Sequence, residues 1–226
     1  VLGRNKKSVS LVNNLLKSFH NIEKSRTPDI IISLGGDGTY FYNERKYPGI
    51  PKLLVRDNSI CKLCSIYNLA NMKSILARIS KRKFTVLENL KIDCLFKNKK
   101  LTAVNDIIVR NRDEYEAIRF DLKINSKLAG KDLIGDGIVV STVFGSTGYF
   151  YNITKTTFSR GFGLAFNNVN EKDYLLLKEN DVLSLVLKRS RACVTADNNK
   201  KTFYLNEKEG IKIKKSKDKA FIVVLC

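Results

Sequence analysis

No apolar run in this 226-residue chain approaches the roughly 20 residues that a helix needs to cross a bilayer, so no membrane-spanning helix is expected. Histidine is nearly absent, with His20 alone, and the five cysteines (61, 64, 94, 193 and 226) are too few and too unevenly spaced for a disulfide framework. That sets aside a disulfide-stapled secreted domain and makes a reducing, cytoplasmic setting the expectation. Cys61 and Cys64 have the spacing of half a zinc knuckle, but no second pair follows and His20 lies far upstream. Buried thiols are the plainer reading, with Cys94 the one further ligand to consider. Also missing are a carboxylate cluster suited to a dedicated metal cage, a repeat of fixed period and a low-complexity linker. The opening Val1-Leu2-Gly3-Arg4-Asn5-Lys6-Lys7 has no basic segment leading into an apolar one, so no signal peptide is expected.

What the chain has in excess is positive charge: 41 Lys and Arg against 22 Asp and Glu, a formal net charge of +19. A nucleic-acid surface is one reading of such a balance. The lysines are spread in short clusters, however, and no basic stripe with interleaved aromatics is present for a single strand to stack on. Attraction for phosphorylated small molecules is the more economical account, and nucleic acid is not expected as a partner.

Taken in order, Val9, Val12, Leu15, Leu16 and Phe19 recur at helical spacing behind Asn5 or Ser8 as a cap. Thr27-Pro28 interrupts the chain before the apolar strand 29–34, which breaks into Gly35-Gly36-Asp37-Gly38-Thr39. Such a strand reads as buried on both faces, and its carboxyl end is where open α/β sheets bind ligands. The residues after Thr39 can begin a helix whose first amides face the glycine turn and attract phosphate oxygens. Asp37 is then the one charged side chain delivered into that turn. A strand at 52–55 and a helix built on Leu69, Met72, Leu76 and Ile79 follow.

Beyond about residue 84 short β-type runs succeed one another with no long helix between them: 84–87, 92–96, 101–109, 117–124, 138–143, 182–187, 192–196, 202–205, 211–213 and 220–225. The pattern predicts an α/β N-terminal domain, an open and mostly parallel sheet with helices, over residues 1–86. A β-rich, antiparallel C-terminal domain over 87–226 completes it. Within the run 101–109 the polar pair Asn105-Asp106 interrupts apolar residues, which is costly unless both find partners. A local turn and a pair facing a ribose or base are both open readings. A third stretch, Gly135-Asp136-Gly137, an apolar strand, Ser141-Thr142, then Gly145-Ser146-Thr147-Gly148-Tyr149, combines close-approach glycines with hydroxyls and a ring. Two ordinary hairpin turns would account for its glycines but not for its hydroxyls.

In order and rough separation, these three blocks resemble the NAD kinase family. That family carries a Gly-Gly-Asp-Gly-Thr turn, an Asn-Glu/Asp pair between apolar residues, and a Gly-Asp-Gly, Ser-Thr, Gly-Ser-Thr-Ala-Tyr block. The first block is shared with diacylglycerol, sphingosine and phosphofructo-kinases; the other two make the resemblance specific. It implies an ATP-dependent kinase that phosphorylates the 2′-hydroxyl of the adenosine ribose of NAD to give NADP. Asp37 would orient that hydroxyl and accept its proton, with Gly35, Gly36, Gly38 and Thr39 holding phosphate. Adenosine would lie near Asn105, Thr147 and Tyr149, with Ser146 also among the binding residues, a ribose on Asp106, and the nicotinamide side near Asp136. ATP would bring Mg²⁺ or another divalent cation, and the family's habit implies a homo-oligomer, dimer or tetramer.

The chain departs from that pattern where a glycine-containing loop usually follows the strand 52–55: it has Arg56-Asp57-Asn58-Ser59, and Arg56 would compensate as a phosphate ligand. Val143-Phe144 replaces a Pro-Thr or Pro-Ser pair, Gly148 an alanine, and the nearest basic residue before Gly135 is Lys131. The short start implies a reduced first α/β unit. A lipid kinase sharing the first turn and a non-catalytic nucleotide-binding relative remain the alternatives.

Overall fold

The side chain of Asn5 accepts the N–H groups of Lys7 and Ser8 and so starts α1 (Lys6–Leu16), directly after the two-residue strand β1 (Leu2–Gly3). The structure, a computed structural model, describes residues 1–57, 67–170 and 173–226. They fall into two units, Val1–Asn89 with Asp218–Cys226, and Leu90–Lys217.

In the first unit β2 (Ile31–Leu34) and β3 (Lys52–Val55) are buried along their whole length, as the continuous apolar runs require. They pair in parallel, with β1 on the other side of β2. Between them α2 (Asp37–Lys46) makes the crossover. A 3₁₀ turn, Leu69–Asn71, leads into α3 (Met72–Ser80) after Asn68 and Asn71 cap one another reciprocally. Val12 and Leu16 of α1, Ile75 and Leu76 of α3, and Ile32, Leu34, Leu53 and Val55 of the sheet form one apolar cluster. The end of the chain returns to this unit, where Ile222 pairs in parallel with Lys52. That return was not visible in a division of the chain at residues 86 and 87.

β4 (Phe84–Phe96) begins in the first unit and ends in the second, through a solvent-exposed polar middle. The runs 84–87 and 92–96 are therefore one strand, because backbone pairing does not need apolar side chains. The second unit adds β5 (Lys99–Ala103), β6 (Asp106–Asn111), β7 (Ile118–Ile124), β8 (Lys127–Gly135), β9 (Gly137–Thr142), β10 (Phe162–Asn167), β11 (Tyr174–Leu177), β12 (Leu183–Arg189), β13 (Ala192–Ala196), β14 (Phe203–Leu205) and the start of β15 (Gly210–Leu225). One sheet runs β15, β12, β7, β8 and the other β11, β10, β9, β6, β13, β14, with antiparallel neighbours throughout. Phe120, Leu122 and Leu185 from the first and Ile107, Val140, Leu164 and Val194 from the second join in one core.

On the outer face of the second sheet, Phe150 packs on Val139 and Ala165 and meets Phe158 edge-on, ring centroids 5.0 Å apart. Phe150 anchors a helical turn (Ser146–Phe150) and α4 (Tyr151–Thr154) over β9 and β10. The Gly145–Tyr149 stretch is thus a strand-to-helix joint and not a hairpin turn. The rest of that face, over β6, β13 and β14, is not covered by this helical segment.

Candidate functional site

Each unit carries its own constellation. In the first, β2 gives way to Gly35, whose φ of +144° suits glycine and whose place a Cβ could take only at 2.6 Å from Thr39 Oγ1. The turn is pinned by Gly35 N–H donating to the Val55 carbonyl at 2.9 Å, and α2 begins at once with Asp37 as its first residue. Asp37 is half-buried at the positive end of the α2 dipole. A pocket of about 380 Å³ opens there, lined by residues 34–39 together with Arg4, Asn5 and Asp57. Arg56 extends β3 by one residue, giving its N–H to Tyr67 and accepting from Leu69; it is Asp57 that lines the pocket. Asn58, Ser59, Cys61 and Cys64 lie outside the described residues. Cys94 is buried in the other unit's core, and burial first, with Asp93 second, pushes its thiol up to about 12, which disfavours the thiolate a metal needs.

In the second unit, Asn105 and Asp106 do not interrupt one long strand: β5 stops at Ala103 and β6 starts at Asp106. The turn between them wraps the carboxylate of Asp197, which accepts the N–H groups of Val104, Asn105 and Asp106 at 3.0, 2.8 and 3.2 Å. Thr142 Oγ1 donates to the Val104 carbonyl at 2.5 Å and Ser141 Oγ to that of Asn105 at 3.3 Å, which fastens the end of β9 to the same turn. Gly145 packs so closely that a Cβ would stand 2.3 Å from the Asn105 oxygen, and a Cβ on Gly148 would meet the Asn105 amide nitrogen at 3.3 Å. Ser146 is buried beside this turn, while Thr147 and Tyr149 are exposed on its outer side.

The Asp106 carboxyl is buried, accepts from Asn105 Nδ2 at 2.9 Å, and is pushed up to about 7. Burial is the main cause and the charge of Asp197 the second, with the Asn105 amide opposing both. Asn105 and Asp106 together offer a donor and a switchable acceptor at one edge, a pairing suited to the hydroxyls of a sugar.

Asp136 stands apart from this group. Ser141 is opposite Asp106 and Gly137 opposite Arg110, so an extended β9 carries Asp136 roughly 16 Å away along the strand. There its side chain accepts from Asn168 Nδ2 at 3.2 Å. Asp197 and Arg4 were not among the expected site residues, and Ser141, Thr142 and Asp57 lay in the expected blocks without a role of their own. The signal for Asp197 is its place in Thr195-Ala196-Asp197-Asn198, a faint echo of the later β segments of the resembled family, where an acidic residue closes the strand.

This architecture is the fold seen in solved NAD kinases. An NAD kinase from Archaeoglobus fulgidus, solved in complex with ATP, superposes with a TM-score of 0.81 over 97% of this chain and 90% of that one, at 21% sequence identity. In sequence the chain is similar to the NAD kinase of Flavobacterium psychrophilum, 26% identical over 148 residues covering 62% of this chain and 50% of that protein. The NAD kinase of Borrelia garinii subsp. bavariensis is 32% identical over 134 residues, 54% of this chain and 47% of that protein. The chain thus spans about half the length of these curated relatives, and no family model matches it.

Proposed function

We propose that the chain is an ATP-dependent NAD kinase that moves the terminal phosphoryl group of ATP to the 2′-hydroxyl of the adenosine ribose of NAD, giving NADP. The observation that carries this reading is the placement of Asp37: a carboxylate at the first position of α2, in a glycine turn at the carboxyl end of a buried parallel strand, at a pocket walled by that turn. Asp37 orients the attacking hydroxyl and takes its proton. Gly35 gives its own N–H to Val55 and shapes the turn, so the amides of Gly36 and Gly38 and the Thr39 hydroxyl hold phosphate oxygens, because phosphoryl transfer depends mainly on positioning and charge stabilisation. Arg56 extends β3 beside this turn but does not line the pocket, so its assignment to the same phosphates rests on its charge alone. Asn105, Ser146, Thr147 and Tyr149 receive the adenosine and Asp106 a ribose hydroxyl, with Asp136 on the nicotinamide side.

Mg²⁺ or another divalent cation would enter bound to ATP and belongs to the substrate. Among the described residues no group of three or more His, Cys, Asp or Glu side chains could hold a metal on its own. No helix among them is long and apolar enough to cross a membrane, and the reading places the enzyme in the cytoplasm as a dimer or tetramer.

The test is formation of NADP by the purified chain with NAD, ATP and Mg²⁺, beside an Asp37→Asn variant. The wild type makes NADP and the variant loses at least about a hundredfold in rate, the usual scale of a general base. Nucleotide binding without NADP under any divalent cation or donor would mark a non-catalytic relative, and phosphorylation of diacylglycerol in place of NAD a lipid kinase.

A further inference from the structure

The uncovered part of the second sheet's outer face is a groove of about 400 Å³ running from Tyr149 across β6, β13 and β14. Its floor is a cross-strand row: Arg110 stands opposite Cys193, and Cys193 opposite Tyr204. The Arg110 guanidinium interacts with the side chain of its cross-strand partner Cys193, and the Arg112 guanidinium lies over the Tyr204 ring at 5.1 Å from its centroid. Both arginines are therefore held in place while their charged ends stay exposed. Tyr149 is 37% exposed and Tyr204 56%, so both side chains reach solvent. No carboxylate is among the described residues that line the groove; Glu114, which acts on Arg110, does not line it.

Two fixed guanidinium groups between two tyrosines make a site for an anion attached to an aromatic or sugar group, and guanidinium pairs bidentately with phosphate oxygens. We infer that this groove is the subsite for the pyrophosphate of the acceptor dinucleotide, held by Arg110 and Arg112. The inference rests on the reading of Asn105, Asp106 and Tyr149 as the adenosine site. In a dinucleotide the group that follows the adenosine is the pyrophosphate, and Tyr149 belongs to both places. Arg110 stands four residues from Asp106 along β6, roughly 13 Å between backbones, within reach of that group once the length of the arginine side chain is counted. Nothing in this assignment touches the donor pocket at the Gly35 turn, so the two phosphate sites have separate ligands.

The test is calorimetric titration of the full chain with adenosine and with ADP-ribose, for the wild type, Arg110→Gln/Arg112→Gln, and Arg110→Lys. Wild type binds ADP-ribose at least about tenfold more tightly than adenosine, the scale of one or two charge-assisted hydrogen bonds. The double glutamine variant loses that advantage while its adenosine affinity stays within about twofold, and Arg110→Lys retains part of it because charge is kept without the planar fork. The KM for NAD rises in the double variant by about the same factor while the KM for ATP does not. If the variant keeps the full ADP-ribose advantage, or if the KM for ATP rises instead, the pyrophosphate assignment is overturned and the adenosine site stands. If wild type binds neither ligand, the acceptor-site reading itself falls and takes this one with it.

Discussion

The carboxylate of Asp197 accepts the backbone N–H of Asp106 at 3.2 Å while its negative charge bears on the Asp106 side chain. The buried Asp106 carboxyl is pushed up to about 7, by burial first and by Asp197 second. In the folded chain Asp106 then keeps a proton that the unfolded chain, with an ordinary value of 3.8, has released. Its contribution to stability is fully present below 3.8 and is lost as pH rises through about 7. Binding runs the other way, since a ribose hydroxyl donating to Asp106 needs the carboxylate. Adenosine affinity should rise about tenfold per pH unit up to about 7 and level off above it. Urea unfolding and adenosine titration between about pH 5 and 8 should show these opposite slopes, and Asp106→Asn should flatten both. Parallel slopes, or none in the wild type, would count against the protonated folded state.

Asp197→Asn keeps the side chain's size and removes its charge. The turn at Val104, Asn105 and Asp106 gives three N–H groups to that one carboxylate, so the loss should cost about 2–4 kcal/mol. With the second cause of the Asp106 shift gone, the pH midpoint of adenosine binding should also move down. Chemical denaturation gives the first quantity and the titration the second. An unchanged urea midpoint would show that the turn holds itself.

This contact also explains what the sequence could and could not disclose. The strand at 52–55 and the helix around Met72 and Leu76 were legible because a continuous apolar run and a helical period are local signals. Asn105-Asp106 read as polar residues inside a strand, since the carboxylate that turns the chain there arrives from Asp197, 92 residues away from Asn105. β8 was missed because its side chains are mostly exposed and carry almost no burial pattern. The runs 211–213 and 220–225 are one strand, β15, whose lysine-rich middle hides its continuity. Of the site, the three blocks were legible as motifs. The distance between Asp136 and Asp106 was not, because it follows from an extended β9 paired in register with β6.

Gly145→Ala tests whether the third block is pressed against the second. A Cβ there would lie 2.3 Å from the Asn105 carbonyl oxygen and 2.7 Å from Ser141 Oγ, so one of the two must move. Overpacking of this kind costs about 1–3 kcal/mol. Because the displaced group carries the Asn105 amide, adenosine affinity should fall along with the thermal midpoint. A variant as stable as wild type, with the same affinity, would mean that the joint is looser than this packing indicates.

Lys52 of β3 and Glu44 of α2 form an ion pair with 0% and 2% of their side chains exposed, and Lys52 also donates to the Tyr47 carbonyl. Removing one partner strands a buried charge, so Glu44→Gln should lose about 3–5 kcal/mol of stability. Replacing both, as in Glu44→Leu/Lys52→Met, removes the charge problem and should be near neutral for folding. The two variants separate stability from positioning, because α2 carries Asp37 at one end and Glu44 near the other. If the pair only pins the helix, the double variant recovers both the urea midpoint and NADP formation. If it also sets the angle at which Asp37 meets the acceptor, folding recovers while kcat stays down by about tenfold or more, since small displacements of a reacting group weigh heavily on rate. Measuring the urea midpoint and kcat on the same three proteins decides between a helix that is merely anchored by Lys52 and one that is aimed by it.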